Sequence, residues 1–180
     1  LGNTKDKILN SAERVALRDG VAHLTLEAVA EEAGLSKGGV LYNFPTKEDL
    51  IRGMVDRLIE QTDAEINRLR EADPQPKGRL LRAYLGVTFP ENGSTSARVN
   101  QVAAVLLSAI LTNPDLLEPA RRHFHETQEA LLKDGLDEHV IHIVRLAADG
   151  LWMSDMLGMP GPAPAARRNM IAQLYEMTRR

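Results

Sequence analysis

The residues with the most chemical potential stand close together: Ser36-Lys37-Gly38-Gly39-Val40-Leu41-Tyr42, then Asn43 and, past Pro45, Lys47. Two consecutive glycines in a helix interior cost about 1 kcal/mol each relative to alanine, so their presence needs a reason. Removing side chains lets a backbone approach another surface closely, and a phosphate backbone or a base edge is one candidate surface. Between Ala33 and Lys47 there are two lysines and no acid. This run is locally positive in a chain of 25 acidic and 22 basic residues with a formal net charge of −3. The total charge gives no support to nucleic-acid binding; only the local pattern does.

Other chemistries find less footing. Without cysteine there is no disulfide framework, thiolate metal site or cysteine nucleophile. His123 and His125 point to different sides of a helix, and His139 and His142, three apart, lack the Glu-x-x-His pattern of a di-iron bundle. Neither a metal nor a cofactor is expected. The Gly38-Gly39 pair is not followed by the Lys-Ser/Thr of a phosphate-cradling loop, and no nucleophile–base spacing stands out. No catalytic residue is assigned and no enzyme is expected, although an all-α enzyme and a helical adaptor that binds only protein remain the alternatives. Apolar residues make up 43% and charged residues 26%, the balance of a globular protein. The uncharged stretch Val99 to Asn113 holds Asn100, Gln101 and Ser108 and falls short of the ~20 residues of a membrane span. No cationic-then-apolar signal segment opens the sequence. A soluble, cytoplasmic protein without a membrane partner is expected.

Helices must position these residues, since helical periodicity dominates and no alternating strand run is convincing. Ile8, Leu9, Ala12, Val15 and Ala16 form one stripe, with Gly20 as a left-handed exit. Thr25 stands as an N-cap before Leu26, Val29, Ala30 and Ala33; Gly34 and Leu35 interrupt; Ser36 caps a short helix to about Tyr42, and Pro45 stops it. Thr46 and Asp49 resemble a capping box, with Asp in place of the usual Glu. The long helix that follows keeps Leu50, Met54, Leu58, Thr62, Ile66 and Leu69 on one face and closes before Asp73-Pro74-Gln75-Pro76-Lys77-Gly78. Further helices are expected over Arg79–Thr88, Ala97–Thr112, Asp115–Lys133, Glu138–Leu157 and Ala165–Thr178, with a separator over Pro90 to Ser94 and Pro119 as a kink or a true first turn. The class is all-α with about nine helices, divided into an N-terminal unit of residues 1–50 and a C-terminal unit of 51–180.

Three short helices, the second and third joined by a tight glycine turn, describe a helix-turn-helix unit. Ala30 and Ala33 allow close approach, and Leu26, Val29, Leu35 and Val40 form its apolar plug. The run from Thr25 through Ala33-Gly34-Leu35-Ser36-Lys37-Gly38-Gly39 to Leu41-Tyr42-Asn43-Phe44-Pro45-Thr46-Lys47-Glu48-Asp49-Leu50 resembles the DNA-binding region of the TetR family of transcriptional repressors. The resemblance covers about residues 4–55 and is architectural beyond them. It implies a homodimer that binds a roughly palindromic double-stranded DNA operator and releases it when a small molecule occupies the C-terminal domain. It also implies that Thr25 caps the second helix and touches a phosphate, and that Ser36, Lys37, Gly38 and Gly39 lie at the groove-facing start of the third. Tyr42 would reach the DNA backbone, and Lys47 would bind a phosphate with the free N–H groups of the fourth helix. Many members carry tyrosine where Leu41 stands; the order Leu41-Tyr42-Asn43 here leaves open which side chain does that tyrosine's work, with Asn43 a candidate for a share. Each residue also has a plainer reading: Thr25 as a cap alone, Lys37 as a solvated charge, and Tyr42 packed on its own core. Phe44 reads as core.

In the C-terminal part, Val140, Ile141, Val144, Ala147, Ala148, Leu151 and Trp152 make a wide stripe. Ile143, Leu146 and Met153 lie opposite, and only Arg145, Asp149 and Asp155 are charged between His139 and Leu157. Ala166, Met170, Ile171, Leu174 and Tyr175 match that stripe on the last helix. A helix apolar on most sides buries more than one face. Pairing of the last two helices with their symmetry mates is the economical solution, and a monomeric core is the alternative. For the small-molecule effector, candidate contacts are Tyr84, Phe89, Asn100, Leu107, Phe124 and Trp152, each of which also fits plain core; Asn100, Gln101 and Ser108 are the polar groups to orient it. Seven aromatic residues (one Trp, three Tyr, three Phe) argue against a stacked cage for a large cationic drug.

Overall fold

The computed structural model describes residues 3–90 and 94–179, and within them not the side chains of residues 95, 108–112 and 114. Residues 91–93 of the expected separator and the side chain of Ser108 thus lie outside the described residues. Nine α-helices and no strand are found among the described residues: α1 Thr4–Asp19, α2 Leu26–Ala33, α3 Lys37–Asn43, α4 Lys47–Ala72, α5 Arg79–Thr88, α6 Thr95–Thr112, α7 Glu118–Leu131, α8 Glu138–Met156 and α9 Pro164–Met177. Two local expectations are corrected. Gly20 has φ 80° but an extended ψ of 164°, not a left-handed helical turn. A 3-10 turn, Val21–His23, follows it. The helix expected from Asp115 is a 3-10 turn over Pro114–Leu117, and α7 starts only at Glu118, which puts Pro119 in a first turn where its missing N–H costs nothing. Among the described residues no helix is long and apolar enough to cross a membrane.

The chain gathers into two compact units, Leu1–Glu60 with Val99–His123, and Gln61–Arg98 with Phe124–Arg180. In the first, Ile8, Ala12 and Val15 of α1, Val29 of α2, Val40 of α3 and Leu50 and Met54 of α4 are buried together, joined by Val102, Leu106 and Leu116. Each large aliphatic side chain taken from water contributes about 1.5–3 kcal/mol. The plug works as its spacing implies, with Val29 and Val40 fully buried and Leu26 and Leu35 packed against them. Phe44 is buried too, and α4 passes so close that a Cβ on Gly53 would stand 2.6 Å from its ring.

In the second unit the core is Ile66, Leu81, Leu85, Leu131, Ile141, Val144, Ala148 and Leu174. The free N–H groups at the start of α5 are met from far along the chain: the Asp134 carboxylate accepts from Leu80 N at 3.2 Å and Leu81 N at 2.9 Å. Arg82, buried on the same turn, donates to the Asp73 carboxylate at 2.6 Å, the Gln75 carbonyl at 2.7 Å and the Thr178 carbonyl at 2.9 Å. Gly78 precedes it with φ 75°, and a Cβ there would lie 2.5 Å from the Thr178 carbonyl oxygen, so only glycine fits. The apolar wrap of α8 resolves into two faces. Ile141, Val144, Ala148 and Leu151 are buried, whereas Ile143 and Leu146 are 55% and 68% exposed, with Met153, Leu157 and Met170 of α9 also exposed.

Candidate nucleic-acid interface

Local capping builds the site. The Thr25 hydroxyl accepts the Ala28 N–H at 3.1 Å and so opens α2. Gly34, left-handed at φ 60° and ψ 41°, closes it: its N–H donates to the Glu31 carbonyl at 3.0 Å and Leu35 N donates to Ala30 at 2.9 Å. That reversal lets Ser36 start α3 at once, its hydroxyl accepting the Gly39 N–H at 3.1 Å. At α4 the Thr46 hydroxyl accepts the Asp49 N–H at 3.0 Å and donates to the Asp49 carboxylate at 2.7 Å. The shorter Asp thus returns to the side chain of the cap, where the Glu of a capping box returns to its backbone N–H.

Thr25, Ser36, Lys37, Gly38 and Tyr42 are exposed and Gly39, Asn43 and Lys47 half-buried. Tyr42 is 90% exposed, which removes the reading in which it packs on its own core. The glycine pair has no internal cause. A Cβ on Gly38 would meet nothing nearer than Ser36 Oγ at 4.0 Å, and one on Gly39 the same atom at 3.4 Å. Three polar groups of the site are engaged within the unit. Asn43 Nδ2 donates to the Gly39 carbonyl at 2.9 Å and Lys47 Nζ to the Val21 carbonyl at 3.0 Å. Lys37 Nζ lies 2.5 Å from Glu27 Oε1. The hydrogen bond from Lys37 holds the Glu27 carboxyl below the usual carboxylate range. The local positive run is therefore partly offset. A count along the sequence omits Glu27, which the Gly34 reversal folds back beside α3, and α2's exposed first-turn acid is the signal that was there to be read.

The effector candidates divide between the units. Asn100 and Leu107 are half-buried in the first; Tyr84, Phe89, Phe124 and Trp152 belong to the second. There Tyr84, buried on α5, donates its hydroxyl to the Asp149 carboxylate, and burial with that neighbouring charge raises the phenol well above its ordinary value. Burial also pushes the Asp149 carboxyl up, against the Tyr84 hydrogen bond and the Arg145 charge. Arg145 Nε stands 3.6 Å from Asp149 and is buried without a hydrogen-bond partner among the described residues. The same guanidinium donates to the Gln128 side-chain carbonyl and lies 5.7 Å from the Phe124 ring centre. Phe89 carries the Arg167 guanidinium at 5.3 Å, and Trp152 is half-buried. Asp149, Arg145 and Gln128 are thus polar residues of this cluster absent from the sequence-based candidates; the i, i+4 spacing of Arg145 and Asp149 on an apolar helix was the available clue. Among the described residues no group of three or more His, Asp or Glu side chains is placed to hold a metal.

Residues 8–54 match the family model of bacterial regulatory proteins of the tetR family, and residues 78–179 that of the tetracyclin repressor-like C-terminal domain. The chain is 33% identical over 86 residues to the HTH-type transcriptional regulator TtgR of Pseudomonas putida, across 47% of this chain and 40% of that protein. It is 26% identical over 102 residues to the HTH-type transcriptional regulator EthR of Mycolicibacterium smegmatis, across 57% and 47%. It thus spans less than half the length of these curated relatives. Among solved structures, a TetR family member from Streptomyces coelicolor A3 superposes with a TM-score of 0.71 at 23% identity, over 96% of this chain and 98% of that one. The multidrug binding protein EbrR complexed with imidazole superposes at 0.65 and 23%, over 97% and 96%. At such identities the likeness is one of fold.

Proposed function

Because this chain belongs to the TetR family of bacterial regulatory proteins, we propose that it is a cytoplasmic transcriptional repressor. In this reading it grips a palindromic operator as a homodimer and leaves it when a small molecule binds. Residues 1–50 are the reading head and 51–180 serve effector binding and dimerisation. The observation that carries the reading is the start of α3: two glycines that no internal contact requires, beside a tyrosine that is 90% exposed. A helix face kept smooth at a folding cost, with a polar aromatic standing free of it, suits close docking in a major groove. Thr25, Ser36, Lys37, Gly38, Gly39, Tyr42, Asn43 and Lys47 form that surface. Asn43 and Lys47 contribute by bracing α3 and the Val21 carbonyl, and by meeting phosphates when DNA draws near.

The exposed apolar face of α8 and α9 supports the dimer, since patches of this kind on a soluble protein mark interaction surfaces. Two copies then present reading heads to half-sites roughly 34–36 Å apart. The Tyr84–Asp149–Arg145 cluster, expensive to bury, supports an effector with polar groups. Release requires that the effector bind the DNA-incompetent arrangement more tightly; equal affinity shifts nothing. No catalytic role is proposed.

The test is a mobility-shift assay against duplexes selected from a random pool, run as a salt series. A palindromic consensus is expected, with log affinity falling linearly in log salt. Lys37→Ala and Tyr42→Phe should weaken binding with helicity and dimerisation intact, and unchanged affinity in both would remove the site assignment.

A further inference from the structure

Lys37 is the sole cation among residues 34–46, and its ammonium is held at 2.5 Å by Glu27. Both side chains are well exposed, 58% and 60%, so the pair contributes next to nothing to folding. Each has a local reason for its place. Glu27, in the first turn of α2, suits the positive end of that helix. Lys37, in the first turn of α3, has the wrong sign for its helix and gains by reaching an acid. Together they put a carboxylate on the surface that the reading above, on which this inference rests, turns toward a polyanion. A residue there that repels phosphate and neutralises the nearest cation works against indiscriminate binding.

We propose that Glu27 is a specificity-determining residue: by holding Lys37 it withholds that ammonium from phosphates, lowers sequence-independent affinity, and leaves discrimination to contacts with base edges. A lysine bound to a carboxylate displaces no counterion from DNA. Releasing it adds one phosphate contact, which steepens the slope of log affinity against log salt by about 0.9. At 0.1 M salt, against a 1 M reference, that slope corresponds to about eightfold tighter binding.

The experiment measures fluorescence anisotropy of a labelled duplex of random sequence, and of one selected from a random pool, between 0.02 and 0.3 M salt. Wild type, Glu27→Gln, Lys37→Ala and the double variant are compared. Glu27→Gln should bind the random duplex about eightfold more tightly at 0.1 M, with a slope steeper by about 0.9, and the ratio of selected to random affinity should fall. The double variant should return to the wild-type slope, because the pair counts as zero whether present or absent; loss of fold would not do this. An unchanged slope in Glu27→Gln overturns the proposal, as does weaker binding confined to selected duplexes with one particular C·G pair, which would make Glu27 a reader of the cytosine amino group. Wild type that binds no duplex at 0.02 M salt instead overturns the DNA-binding reading, and this inference with it.

Discussion

Replacing Arg82 by Met keeps most of the aliphatic stem and removes a charge that is 7% exposed. Three acceptors lose their donor: the Asp73 carboxylate at 2.6 Å, the Gln75 carbonyl at 2.7 Å and the Thr178 carbonyl at 2.9 Å. Asp73 is only 20% exposed, so its charge is left partly buried without its guanidinium partner, supported by the Gln75 N–H at 2.9 Å and the more distant Arg179 charge. Removing one partner of such a pair costs about 3–5 kcal/mol, and for a chain of this size each kcal/mol lowers Tm by about 2–4 °C. Calorimetry at pH 7 should therefore show a Tm lower by about 6–20 °C, and hydrogen exchange should rise over residues 73–82 and 175–179 but not over α1 to α3. The pH dependence has a fixed sign. Hydrogen bonding to Arg82 holds the Asp73 carboxyl below the usual carboxylate range. Its stabilisation is present above the unfolded value of about 3.9 and is lost as pH falls through the lowered folded value. The Tm gap between wild type and variant should thus be widest near neutrality and narrow below about pH 4. A Tm within about 2 °C of wild type at neutral pH, or a gap equal at pH 3 and pH 7, refutes the assignment.

Gly78→Ala places a Cβ 2.5 Å from the Thr178 carbonyl at φ 75°; left-handed strain of about 1–2 kcal/mol plus that clash should lower the urea midpoint. Gly38→Ala should leave stability unchanged or raise it by up to about 1 kcal/mol, since the nearest atom is 4.0 Å away, yet weaken operator binding; parallel losses in folding and binding would count against a groove-facing Gly38. Leu146→Glu puts a charge on a residue that is 68% exposed, and analytical ultracentrifugation should find monomer with helicity retained. A persistent dimer would move the interface elsewhere.

The helix-turn-helix is legible because its determinants are local. Thr25 with Ala28, Ser36 with Gly39 and Thr46 with Asp49 are three residues apart, within reach of a capping pattern, and the buried face Leu50, Met54, Leu58 and Ile66 follows the 3.6-residue period. What escaped are partners that the turns bring together. Lys37 meets Glu27 across Gly34, Lys47 meets a carbonyl 26 residues upstream, Asp134 caps a helix more than 50 residues before it, and Tyr84 reaches Asp149. Periodicity says that each of these side chains has a face, not which element supplies its neighbour. The start of α7 eluded it for a different reason, because Pro114 and Pro119 both tolerate a helix start and only packing of Leu116 in the core decides between them.

The bond from Arg82 to the Thr178 carbonyl joins residues 96 apart, and this has a temporal cost on the ribosome. At 5–20 residues per second, about 5–20 s pass between synthesis of the donor and of its acceptor. Through that interval the nascent second unit lacks this bond, and Gly78 lacks the Thr178 carbonyl that it packs against. Of the three bonds of Arg82 this one therefore closes last, and the waiting chain is the species a chaperone would meet.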